Sequence, residues 1–152
     1  MKVWVDMQEK KIVDVIIPVN YPDEKFQKLL DRLARQTYLA RRIIVINTDE
    51  KGFPETLRCP DTMEVYHIEP DEFDHGATRD MAARKSDADL LLFMTQDAVP
   101  ADTHLIEHLV QAFENPLVAA AYARQLAVKT DSAIERYTRN FNYPAKSKVK
   151  TQ

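Results

Sequence analysis

Apolar positions along the chain fall into short dense runs, separated by polar turns and by stretches of helical spacing. Residues 12–19 (IVDVIIPV) are β-branched and mostly apolar, which predicts a strand buried on both faces and ended by Pro18. The turn Asn20, Tyr21, Pro22, Asp23 leads into a predicted helix over 22–36, with Phe26, Leu29, Leu30, Leu33 and Ala34 on one face. Pro22 near the first turn, with Asp23 and Glu24 behind it, suits a helix N-terminus. Residues 43–46 (IIVI) predict a second buried strand and residues 64–68 (EVYHI) a third. His75 and Gly76 open an alanine-rich helix over 77–85, and residues 90–94 (LLLFM) form the most hydrophobic strand. Asp102 or Thr103 is placed to cap a helix whose stripe is Leu105, Ile106, Leu109, Val110 and Phe113. Residues 117–123 (LVAAAYA) read as a further strand and 134–141 as a helix. From Pro144 the chain is a basic tail with no ordering signal. Strands alternating with helices predict an α/β fold built on a mainly parallel sheet.

Length and composition narrow the classes. A chain of 152 residues buries a core without disulfide or metal staples. The formal charge of -3 gives no reason to expect nucleic acid as a partner. Cys59 is the only cysteine, which excludes an intrachain disulfide and a cysteine-rich metal site and suits a reducing compartment. No signal-peptide core is present, and no apolar run approaches the roughly 20 residues of a membrane span. The expected location is the cytoplasm.

In an open α/β sheet, ligands gather beyond the carboxyl ends of the strands. Three such ends are polar here: Val19 and Asn20; Asn47, Thr48 and Asp49; Thr95, Gln96 and Asp97. Gly52 and Gly76 are the only glycines, so neither a dinucleotide fingerprint nor a phosphate-cradling P-loop exists. A nucleotide on this sheet needs its phosphates neutralised otherwise, by a carboxylate-held Mg²⁺ or Mn²⁺ and an arginine. Asp97 is the candidate carboxylate, or else caps the turn towards Val99 and Pro100. Arg79, one turn into the helix after Gly76, is the candidate cation, or else a solvated surface residue. Asp80 could orient it. His104, Glu107 and His108 also match the H-x-x-E-H zinc pattern, with Glu114 or Glu135 as the downstream third ligand. The apolar stripe of that helix is complete without the histidines, which favours its wet side for them. No nucleophile constellation forms around Cys59, His67 or His75.

Four segments together, VDVIIPVN (13–20), IIVINTD (43–49), HGATRDMAA (75–83) and LLLFMTQDAVP (90–100), resemble family 2 glycosyltransferases of the GT-A fold. HGATRD, TQDAVP and residues 122–144 look more narrowly like bacterial rhamnosyltransferases of cell-surface polysaccharide synthesis. The resemblance covers residues 13–144 and implies a Rossmann-like, nucleotide-sugar-binding part of a GT-A domain over 1–144, with 145–152 a disordered basic tail.

It also implies roles. Pro18, Val19 and Asn20 fall where the first strand end meets the nucleoside, and Thr48 and Asp49 where an acidic residue reads the base. Arg79 falls near the diphosphate, and Gln96 beside it on the third strand end. Asp97 matches the last aspartate of a D-x-D motif, the ligand of a Mg²⁺ or Mn²⁺ bridging the diphosphate. Thr95 replaces the first aspartate, which leaves one carboxylate and implies weak metal affinity without donor. The implied donor is a nucleoside-diphosphate sugar such as dTDP-rhamnose. The saccharide or lipid-linked acceptor and the catalytic base belong to an acceptor half expected to be missing, so no catalytic residue is expected in this chain and no activity from it alone. Lipid-linked acceptors would bring it to the inner membrane surface, and an uncovered sheet edge would invite homo-oligomers. The alternative is a non-catalytic nucleotide-binding or interaction module on the same scaffold.

Overall fold

The computed structural model of the chain describes residues 10–127 and 132–146. Strands β1 (Val13–Asn20), β2 (Arg42–Thr48), β3 (Met63–Ile68) and β4 (Leu90–Phe93) form one sheet in the order β3-β2-β1-β4, parallel throughout. Helix α1 (Glu24–Leu33) follows β1, α2 (His75–Ala83) follows β3, and α3 (Leu105–Gln111) and α4 (Ala133–Asn142) follow β4. This is the expected α/β architecture.

β1 is buried on both faces because it is central and helices cover each side. Val13, Val15, Ile17 and Val19 meet Phe26, Leu29, Leu30 and Leu33 of α1 and Ile106 of α3. Ile16, on the opposite face, packs with Ile44, Ile46 and Ala82 of α2. The chain therefore crosses from one face of the sheet to the other between α1 and α2.

Side-chain caps set the helix bounds more tightly than the apolar spacing does. Asp23 accepts from the N–H groups of Lys25 and Phe26, so α1 begins at Glu24 and not at Pro22. Asp74 accepts from Gly76 and Ala77, so α2 begins at His75, two residues before its expected start. Neither Asp102 nor Thr103 caps α3, where His104 holds the cap position without a side-chain bond. The buried Gln36 side chain accepts from the Ile106 N–H instead, joining the end of α1 to the start of α3.

The strand expected over 117–123 is absent. Residues 118–127 have no regular structure, and Leu117 is 89% exposed. The run is mostly alanine, which brings little β preference and little area to bury, and among the described residues nothing pairs with the outer edge of β4. Helix α4 forms where expected, fixed by a Ser132–Glu135 capping box. None of its residues is buried, and Ile134, Tyr137 and Phe141 face solvent. The basic tail expected over 145–152 lies mostly outside the described residues, which end at 146.

One charge sits inside β1. Asp14 is fully buried and receives Arg41 at 2.7 Å, Arg42 at 3.0 Å and the Ser86 hydroxyl at 2.5 Å. Arg41 also reaches Asp87 and Arg42 reaches Glu64, so the network ties β1, β2, β3 and the turn before β4. Burial pushes the Asp14 carboxyl up, but the bonds from Arg41, Ser86 and Arg42 outweigh it and hold it at about 2. Asp14→Ala is expected to cost roughly 2–3 kcal/mol in urea unfolding, below the figure for a sealed pair because both arginines reach solvent. Because the folded value lies below the ordinary 3.8, the contribution is present above about pH 4 and lost as pH falls towards 2. Asp14→Asn should be weaker at pH 7 and lack that part of the acid dependence.

Candidate functional site

β1 pairs with β2 as far as Asn20 and Thr48, but with β4 only as far as Ile16 and Phe93. Pro18 explains the difference. The Ile16 carbonyl accepts from Met94, so the main-chain groups of residues 16, 18 and 20 point towards β4. Pro18 has no N–H to continue that ladder. It does not end β1, as the sequence reading had it; it ends one of the two ladders. Beyond it, Gln96 bridges the gap: the Asn20 N–H donates to Gln96 Oε1 at 2.8 Å, and Gln96 Nε2 donates to the Asn20 carbonyl at 3.2 Å.

A cleft of about 550 Å³ opens at this point. It lies where the chain changes faces of the sheet, the usual ligand position in such folds. Pro18, Val19, Asn20, Thr48, Asp49, Arg79 and Gln96, the expected contacts, all line it. Thr95, part of the third polar strand end, lines it as well, as do Tyr21, Pro70, Phe73 and His75, which were not expected there. Asp97 is not among the lining residues; it is exposed on the loop just past Gln96, where its Oδ1 accepts from the Thr95 hydroxyl at 2.7 Å. The Val19 side chain is buried in the core, and the Gln96 amide is already engaged with Asn20, so these two shape the cleft more than they offer free groups to it.

Polar groups in the cleft are unevenly satisfied. Among the described residues Arg79 forms no ion pair; its Nη1 donates to the His75 carbonyl at 2.7 Å. Asp80 does not orient it, since Asp80 holds Arg84 at 2.8 Å. Arg79 is thus a half-buried cation available to an anion. The Thr48 hydroxyl is buried with no partner, as is Asn47 Oδ1. Asn47 Nδ2 instead contacts the Asp49 carbonyl and His67 Nδ1.

Among the described residues no three His, Cys, Asp or Glu side chains gather as a metal cluster. The H-x-x-E-H pattern gains no third ligand, and Glu107 is bonded to the Thr37 hydroxyl at 2.7 Å. The rings of His104 and His108 stack on each other. Asp97 offers one carboxylate, so a Mg²⁺ or Mn²⁺ held there would need its remaining oxygen ligands from elsewhere. Partial desolvation pushes the Cys59 thiol up, away from the thiolate a nucleophile needs.

A family model described as glycosyl transferase family 2 matches residues 14–152. The chain belongs to this family. It is 36% identical over 144 residues to the O-antigen chain rhamnosyltransferase RfbN of Salmonella typhimurium strain LT2, covering 92% of this chain and 45% of that protein. It is 27% identical over 140 residues to the O-antigen chain rhamnosyltransferase WbaN of Salmonella anatum, covering 91% and 44%. The chain therefore spans less than half the length of these relatives. The crystal structure of S. aureus TarS 1-349 in complex with UDP-GlcNAc superposes with a TM-score of 0.53 at 18% identity, covering 78% of this chain and 38% of that one. This likeness shows the fold, the GT-A type expected from the sequence.

In this member of the family Tyr21 follows the end of β1, while Pro70, Phe73 and His75 come from the connection between β3 and α2 and from the first turn of α2. His75 and Phe73 flank the Asp74 cap, ring edge to ring face at 5.0 Å. The available signal was Asp74 itself, an N-cap that fixes the first turn of α2 beside the cleft. Gln96→Ala should remove both bonds to Asn20. The Asn20 amide should then exchange about tenfold faster, with global stability lowered by roughly 1 kcal/mol, as read by hydrogen exchange and urea unfolding.

Proposed function

We propose that this chain is the donor-binding portion of an inverting glycosyltransferase that takes a nucleoside-diphosphate deoxysugar of the dTDP-rhamnose kind for cell-surface polysaccharide. The observation that carries the reading is Arg79, a cation with no ion pair among the described residues, in a cleft that Thr48 and Asp49 also line. The names of the relatives point to rhamnose and O-antigen chains. Pro18, Val19 and Asn20 would meet the nucleoside with main-chain groups, Thr48 and Asp49 would read the base, and Arg79 would hold the diphosphate. Gln96 would keep the β1 and β4 ends at the right separation. A divalent ion at Asp97 would supply charge neutralisation for the leaving diphosphate. Loss of the sugar leaves negative charge on that diphosphate, which Arg79 is placed to stabilise.

The acceptor, a saccharide or lipid-linked chain, and the base that deprotonates its hydroxyl are assigned to the portion of the relatives outside the matched region. On this reading the chain alone binds donor without transferring sugar, and works in the cytoplasm at the inner membrane surface. Among the described residues no helix is long and apolar enough to cross a membrane. The open β4 edge and the apolar face of α4 favour self-association. The single carboxylate at Asp97 favours a second reading, nucleotide binding without transfer on the same scaffold.

Calorimetry with dTDP, UDP and GDP, each with and without Mn²⁺, tests the proposal. One nucleotide, dTDP, should bind in a metal-dependent way. Asp97→Ala should abolish that dependence and Arg79→Ala should weaken binding about tenfold or more, the loss of a charged hydrogen bond. Absence of heat with all three would overturn the donor site. Metal-dependent binding with no transfer after fusion to the remainder of a relative would select the second reading.

A further inference from the structure

Tyr21 and Asp49 are the only non-glycine residues among those described with left-handed backbone, at φ 48° and 70°. They lie at the ends of different strands and meet: the Tyr21 hydroxyl donates to Asp49 Oδ2 at 2.9 Å. Left-handed backbone costs on the order of 1–3 kcal/mol for a bulky residue and persists where the surroundings enforce it. Burial does not compensate at Tyr21, which is 63% exposed.

The partner geometry accounts for the strain. Every polar group of Asp49 is engaged: its N–H donates to the Ile68 carbonyl, its carbonyl accepts from Asn47 Nδ2, and Oδ1 accepts from the Lys51 N–H. The Gly52 N–H also donates to the Asp49 carbonyl at 3.0 Å, and these four partners lie on β2, β3 and the turn between them; Tyr21 reaches Asp49 from just past the end of β1. Its ring lies against Gly52, where an added Cβ would come within 2.7 Å of Cδ1 and Cε1. Gly52 is thus required not for its own backbone angle but for the close approach of a ring. The hydrogen bond to Asp49 pushes the Tyr21 hydroxyl up from its ordinary value, so it remains a donor.

We propose that Tyr21 is a positioning residue for base selection, holding the Asp49 carboxylate from the neighbouring strand end while Gly52 braces its ring. This rests on the nucleotide-sugar reading above. An ionised carboxylate only accepts hydrogen bonds. Fixed in direction, Asp49 favours a base with an N–H on its ring edge, such as the imide of thymine, and disfavours adenine, which presents an unprotonated ring nitrogen there.

The test measures dTDP and ADP affinities in Mn²⁺ for the unaltered chain, Tyr21→Phe and Gly52→Ala, with thermal melts confirming that each is folded. Tyr21→Phe, which loses only a hydroxyl, should lower dTDP affinity about fivefold to tenfold and leave ADP unchanged, so the ratio collapses. Gly52→Ala should do the same by displacing the ring. If the unaltered chain prefers dTDP and both variants keep that preference, the inference is overturned and the donor site stands. If the unaltered chain binds no nucleotide, the donor reading falls and takes this inference with it.

Discussion

The cleft exists because β1 must pair on both sides and Pro18 stops it on one. With β2 the ladder runs to Asn20; with β4 it stops after Ile16. A residue with an N–H at position 18 could extend the second ladder and draw the β4 end inward. The missing donor leaves a gap, and Gln96 spans it with a side chain of fixed length. The separation between the β1 end and the Asp97 loop is therefore set by one proline and one glutamine.

The opposite end of β1 is built in the contrary way. Asp14 is sealed among Arg41, Arg42 and Ser86, and its charge ties the strands together at their amino ends. At the carboxyl ends, charges are left open to the cleft, with Arg79 unpaired among the described residues. Removing a member of the first group should cost stability, and removing a member of the second should cost binding. Arg79 forms no ion pair among the described residues and holds only the His75 carbonyl, so its charge contributes little to folding.

Most of the architecture was legible because buried strands and amphipathic helices announce themselves through density and spacing. The 12–19, 43–46, 64–68 and 90–94 runs each became strands. The 117–123 run did not, because four of its seven residues are alanines, which bring little β preference and little area to bury. The site was legible insofar as it sits on strand ends, which the topology brings together. Tyr21 and Gly52 were not, since a left-handed tyrosine and a ring pressed on a glycine are tertiary facts with no sequence period. The rarity of glycine in this chain was the one available hint. Asp14 was also hidden, read as a strand residue among valines, because only the fold reveals that two arginines converge on it.

A nucleotide-sugar site at the carboxyl ends of β1, β2 and β4 is tested by amide chemical-shift mapping of this chain, titrated with a dTDP-sugar in diamagnetic Mg²⁺. The account predicts saturable shifts concentrated at Asn20, Thr48, Asp49, Arg79 and Gln96, with α3 and α4 unmoved. Shifts centred on α4 or on His104 and His108, with the strand ends silent, would contradict it.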